Sequence, residues 1–164
     1  MPSQSSIVSP GEGPQVEFIP GELMIWKATG ATTEGALDCV EVQLEPLVGP
    51  REHIHHQQDE TFYVLEGDFR FKVGGKLVDT STGGFVFVAR GTPHCWKNIG
   101  VGIGRLLIIF TPGGMEGYFQ ELSPLIRTII AGNADQSKVD PSILAEADVI
   151  MKRYHYKLVG PRLE

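Results

Sequence analysis

Between residues 22 and 111 apolar and polar side chains alternate in short runs, "ELMIWKA", "ALDCVEVQL", "ETFYVLEG", "FRFKV", "GFVFVA" and "IGRLLIIFT", separated by clusters of Gly, Pro and Asp. A period of two belongs to strands with one buried face, and short runs at this spacing predict an all-β sandwich or barrel. "DFRFKVGGKLVDT" reads as two strands joined at Gly74-Gly75, a tight hairpin signature, because a primed turn needs positive φ at its central positions. Past Pro112 the pattern becomes helical. Met115, Tyr118, Phe119 and Leu122 precede Pro124, and Leu125, Ile126, Ile129 and Ile130 follow it, which predicts two short helices or one kinked helix. Asp140 as N-cap with Pro141 at the first helical position predicts a further helix running to about Lys152. Residues 1–20 are rich in Ser, Pro and Gly and read as an arm. The chain therefore divides into an N-terminal arm over 1–20, a β unit over 21–112, and a helical segment over 113–164 packing on or over one end of it.

Composition narrows the picture. At 164 residues the chain has room for one well-buried domain, and 41% hydrophobic with 21% charged residues is ordinary for a soluble globular protein. A formal net charge of −6, with no local cluster of Lys and Arg, argues against nucleic acid as a partner. The N-terminus lacks a basic start followed by an apolar stretch, and no run approaches the roughly 18 apolar residues that span a bilayer. The expectation is a cytoplasmic protein with no membrane partner. In that reducing compartment Cys39 and Cys95 are expected to be separate thiols.

The chemistry concentrates in "EHIHHQQDETFYVLEG", which holds three of the five histidines. In a strand His53 and His55 point the same way, while Ile54 points to the other side. The odd offset from His55 would put Glu60 on the opposite face of a continuous strand, and the polar "HQQD" supplies the bend that returns it. Phe62 and Val64 share the face of Glu60, and a carboxylate in such an apolar surround needs a cationic partner. In "GGFVFVARGTPHCWKN" a strand runs into a turn where Gly91 suits positive φ, and His94 opens the next strand with Trp96 and Asn98 on its own face. His53, His55, Glu60 and His94 make a set of three nitrogens and one oxygen that suits one divalent first-row transition metal and leaves positions open for water or substrate. Fe, Mn, Ni, Co and Zn all accept this donor set. His56 and His155 read as ordinary surface or satisfied core histidines.

These residues resemble the cupin superfamily, whose two motifs have the forms G(X)5HXH(X)4E(X)6G and G(X)5PXG(X)2H(X)3N. His53, His55, Glu60 and Gly67 fall on the first, and Gly83, Gly91, His94 and Asn98 on the second. Leu47 stands where the first motif opens on glycine, with Gly49 nearby, and Ala89 replaces the proline of the second. The resemblance covers about residues 36–111. It implies a double-stranded β-helix of jelly-roll type with short C-terminal helices and a metal held inside by the four side chains. "HIHHQQDETFYVLEG", "FTPGGMEGYF" and the closing "VGP" look most like the bacterial quercetin 2,3-dioxygenase-like single-domain cupins.

That likeness implies a metal-dependent dioxygenase acting on a flavonol-like or other enolisable aromatic small molecule, with Glu60 both ligand and catalytic base. Phe62, Val64 and Trp96 would wall the substrate pocket, joined by Phe85 or Phe87 and by Trp26 or Met24. The segment 113–130 either lids the pocket through Met115, Tyr118 and Phe119 or packs on the outer sheet. Two other functions remain open, since cupins host many: a non-redox isomerase, cyclase or lyase, and a non-catalytic small-molecule binder. A homodimer is expected, with the arm able to exchange between subunits.

Overall fold

The computed structural model describes residues 5–131 and 139–164. In chain order the elements are β1 (Gln15–Ile19), β2 (Glu22–Ala28), β3 (Asp38–Leu44), β4 (His53–His55), β5 (Asp59–Glu66), β6 (Asp68–Val73), β7 (Lys76–Ser81), β8 (Phe85–Val88), β9 (His94–Asn98), β10 (Gly104–Thr111), α1 (Met115–Ala131), α2 (Pro141–Arg153) and β11 (Tyr156–Leu158). Six strands form one antiparallel sheet in the order β1-β2-β3-β10-β5-β8, and five form the other in the order β11-β4-β9-β6-β7. This is the jelly-roll arrangement. The strict alternation read in the sequence is what makes it. In β10, Leu106, Ile108 and Phe110 are buried while Arg105, Leu107 and Ile109 are half-exposed, and Val40, Val42, Leu44, Phe62 and Val64 meet them in a common core. The turn between β6 and β7 has Gly74 at φ 55° and Gly75 at φ 83°, the left-handed pair that a two-residue hairpin requires.

Two features differ from the sequence expectation, the length of the arm and a strand after α2, and of the two helical alternatives the structure takes the single helix. The arm is shorter than residues 1–20, because Gln15–Ile19 pairs with β2 and buries Phe18. A single helix, α1, spans residues 115–131 with Pro124 inside it. Pro124 is exposed, so its ring and its missing donor fall on the solvent side, where the lost hydrogen bond costs least. After α2 the chain forms a strand that the sequence reading lacked, β11, which pairs with β4 through Tyr156↔His55 and Leu158↔His53. Asp140 caps α2 as expected, its Oδ1 accepting from Ser142 N at 2.9 Å.

Helix α1 lies against β1, with Phe18 and Phe119 edge to face at 4.9 Å and Ser123 Oγ donating to Glu17 O at 3.1 Å. Its start is held from a distant strand. Asp38, fully buried at the head of β3, accepts from Gly114 N at 2.7 Å and Met115 N at 2.6 Å. Cys39 and Cys95 are free thiols. Among the described residues no helix is long and apolar enough to cross a membrane.

Candidate metal centre

The two sheets bring four donors to one point. His53 and His55 share the inward face of β4, His53 is in register with His94 of β9, and Glu60 projects from β5 in the opposing sheet. One donor atom from each of the four lies within 4.8 Å of the others, and all four side chains are buried. Residues 56 and 57 form the bend between β4 and β5, so the carboxylate returns to the side of the imidazoles.

Hydrogen bonds set the protonation of the rings. A backbone carbonyl only accepts, so His53 donates Nδ1–H to Arg51 O at 2.7 Å and His94 donates Nδ1–H to Thr92 O at 2.9 Å. Each ring is then steered to present Nε2 inward, the arrangement that supports metal-ligating histidines. His94 Nε2 lies 2.7 Å from Glu60 Oε2, and His55 Nε2 lies 3.1 Å from the same oxygen. With Nδ1 carrying its hydrogen, a neutral His94 would set a lone pair against a carboxylate lone pair at this distance. A proton on Nε2, or a metal ion bound by both atoms, removes that repulsion.

Charge follows the same geometry. Burial alone would raise the Glu60 carboxyl, but His55 and His94 outweigh it and hold the group well below the usual carboxylate range. Burial would lower His94, and the hydrogen bond and charge of Glu60 reverse that and raise it. Burial, with His94 and His55 beside it, pushes His53 well below its ordinary value, which leaves a neutral imidazole. The set comprises one ionised carboxylate, a neutral ring and two rings aimed at one oxygen. It could hold a divalent metal ion, and the buried Glu60 Oε1, which has no hydrogen-bond partner among the described residues, is a further free acceptor there.

Beside the cluster is a small cavity of about 20 Å³, room for about one water. Trp96 lines it together with Phe18, Met24, Phe110, Phe119 and Tyr156. Phe62 and Val64 do not. Both are fully buried in the core, and Phe62 packs edge-on against Trp96 at 4.7 Å, behind the wall. Phe85 and Phe87 are 64% and 55% exposed and face outward, so neither belongs to the pocket. Of the pair Trp26 and Met24, Met24 lines the cavity and Trp26 packs against Phe119 at 5.8 Å. His56 and His155 are exposed, joined through His56 N donating to His155 O at 3.0 Å.

Sequence reasoning missed two cavity residues with chemistry. Tyr156 stacks on His53 with ring centroids 4.9 Å apart, and the alternation in "YHYKL" was its one local signal. Glu22 lines the same cavity at 4% exposure, with Oε2 buried and unpartnered among the described residues. Its signal was period two, since Glu22 shares an inward face with Met24 and Trp26.

The sequence of residues 40–110 matches the family model described as the Cupin domain. This stretch is similar to a cupin domain. Solved structures agree on the fold. KdgF from Halomonas sp. has a TM-score of 0.63 at 19% identity, covering 70% of this chain and 99% of its own. An RmlC-like cupin from Shewanella frigidimarina has a TM-score of 0.60 at 21% identity, covering 70% of this chain and 98% of its own. A protein described as a predicted oxalate decarboxylase from Thermotoga maritima has a TM-score of 0.58 at 21% identity, covering 65% of this chain and 99% of its own. No curated protein matches the chain.

The cupin motif's departures also have a physical reading. Leu47, at the position of the first motif's glycine, keeps the glycine-like backbone at φ 67°, with its side chain 71% exposed. The turn is preserved at the cost of left-handed strain. Gly49 serves a different need, because a Cβ there would lie 1.9 Å from Trp96 O.

Proposed function

We propose that this cupin is a metal-dependent dioxygenase acting on a flavonol-like or other enolisable aromatic compound, with Glu60 as the base. The observation that carries the reading is the division of labour between the Glu60 oxygens. Oε2 is engaged by His94 and His55, while Oε1 is buried and free to accept a proton from a ligand hydroxyl. Phe18, Trp96, Phe110 and Phe119 wall the cavity, and among the described residues no Lys or Arg lines it, which favours a flat, uncharged ring over a phosphorylated ligand. His53, His55, Glu60 and His94 would hold a divalent transition metal, which when bound would supply Lewis acidity and, if redox-active, redox chemistry.

The cavity is too small for an aromatic bicycle as it stands, so its cover moves when ligand enters. Phe18, Pro50 and Tyr156 line both this cavity and a larger apolar space of about 280 Å³ bounded by α1, α2 and β11. Entry past these three residues connects the two. A non-redox isomerase, cyclase or lyase is the second reading, favoured by Glu22, a second buried carboxyl in the same cavity. For assembly we propose a homodimer, supported by the exposed row Tyr63, Phe85 and Phe87 on the outer face of β5 and β8.

Elemental analysis of protein purified without added metal, with an oxygen-uptake screen over quercetin and related phenols, tests the reading. Bound transition metal and oxygen consumption are the expected results. Product formed without oxygen selects the non-redox chemistry, and tight ligand binding without product leaves a binding protein. Protein that neither retains nor takes up metal sinks every form of the proposal.

A further inference from the structure

We propose that Glu22 is a second acid–base residue of this cavity, the proton donor to a ligand held against the histidine cluster. This rests on the enzymatic reading above and holds for either its redox or its non-redox form.

Glu22 opens β2 after a turn at Gly21, and its strand places it on the inward face with Met24 and Trp26, where an apolar side chain would cost nothing. A carboxyl there carries a desolvation penalty that a structural role would offset with a hydrogen-bond donor. Oε2 has none among the described residues. It belongs instead to the wall of the cavity that holds His53, His55 and Glu60. A buried, unsatisfied carboxyl beside a candidate reaction centre has the placement of a group kept for chemistry.

The surroundings shift its carboxyl in the opposite direction from that of Glu60. Burial raises the Glu22 carboxyl to about 7, against the pull of Arg162 and with help from the negative charge of Glu60. Tyr118 from α1 and Tyr156 from β11 lie within electrostatic reach of it, each raised first by burial and further by the charge of Glu22. Toward solvent, Glu17 and Glu45 share a shallow groove with it, and neither supplies a cation. Two carboxyls with divergent environments in one cavity mark an acid and a base. In the transfer, the Glu22 O–H bond breaks and its proton passes to an oxygen or carbon of the ligand. The carboxylate left behind faces Arg162 and is reprotonated by water, or by the proton that Glu60 has taken, so no other reagent is consumed.

Zinc-loaded wild-type protein and its Glu22→Gln variant, compared by infrared spectroscopy, provide a test that needs no substrate. The wild type is expected to show a buried protonated-carboxyl band on the acid side of neutrality that fades on the alkaline side, and the variant to lack it at equal zinc content. In the turnover assay, wild-type kcat should fall as pH rises through that range. Glu22→Gln should lower kcat by about 10²–10⁴-fold and remove that limb of the profile. Absence of the band in wild type, loss of zinc from the variant, or unchanged kcat in the variant would each overturn the role of Glu22 alone. Wild-type protein that turns over no compound loses the enzymatic reading, and this role with it.

Discussion

At the scale of single residues the site is a contest between burial and pairing. Glu60 is tolerated inside the core because His55 and His94 face one of its oxygens, and the carbonyl of Thr92 orients His94 as that of Arg51 orients the neighbouring His53. Removing a ligand and removing a charge therefore have different signatures. His94→Ala should weaken metal binding by more than the about 10–100-fold that loss of a supporting hydrogen bond costs, with the β-sheet circular dichroism unchanged. Glu60→Gln keeps the shape and should retain part of the metal while turnover falls about 10²–10⁴-fold. Metal retention equal to wild type in His94→Ala would contradict the ligand set.

Glu22 gives a stability signature as well. Its carboxyl is raised from 4.5 to about 7 in the folded chain, so the folded state holds a proton that the unfolded state releases. The stabilising contribution is complete below the unfolded value and is lost as pH rises through the folded one. Relative to Glu22→Gln, wild type should lose about 3 kcal/mol of unfolding free energy between these limits. Denaturant titrations of both proteins across that window measure the difference, and parallel curves would show that Glu22 titrates normally.

At the scale of elements, what positions the site is the way the helical segment is tied down. Asp38 joins the first turn of α1 to the head of β3, and Phe119 from that helix forms part of the cavity wall. A buried carboxylate accepting backbone N–H groups at a helix start is both cap and anchor. Asp38→Ala should cost about 2–3 kcal/mol, since it removes charged hydrogen bonds and strands their donors. Asp38→Asn should cost less because one carbonyl oxygen remains. Urea unfolding ranks the pair, and equal losses would show that the charge, and not the hydrogen bonds, does the anchoring. On the far side, β11 lays Tyr156 over His53, so the end of the chain completes the wall begun by its start.

Across the whole molecule, the cluster draws on both sheets, with β4 and β9 in one and β5 in the other. A metal bound there cross-links them, and binding to the folded state alone adds about 2.7 kcal/mol when free metal is a hundredfold above Kd, by about RT ln(1 + [L]/Kd). Adding Zn or Mn to metal-stripped protein should raise Tm by about 5–10 °C, and chelator should reverse it. An unmoved Tm would count against the site. The outer face makes a separate statement: Tyr63, Phe85 and Phe87 stand exposed on neighbouring strands, and β8 is the edge of its sheet. The expected outcome is a dimeric mass in solution that Phe87→Asp reduces to monomer, and a monomeric wild type would refute the homodimer.

What the sequence determined by itself was local. Alternation with period two is a property of neighbours along the chain, so the core strands were legible. So was the hairpin at Gly74-Gly75, and so was the pairing of His53 with His55 on one face. The cupin motif spacing made Glu60 and His94 legible too. Which alternate of a strand faces inward, and which buried residue reaches the cavity, depends on partners far away in the chain. For that reason Phe85 and Phe87 face outward, and Phe62 and Val64 are buried in the core, Phe62 against Trp96. Glu22 lines the cavity and Tyr156 rests on His53 because burial is decided by packing across the sheets and not by order along the chain.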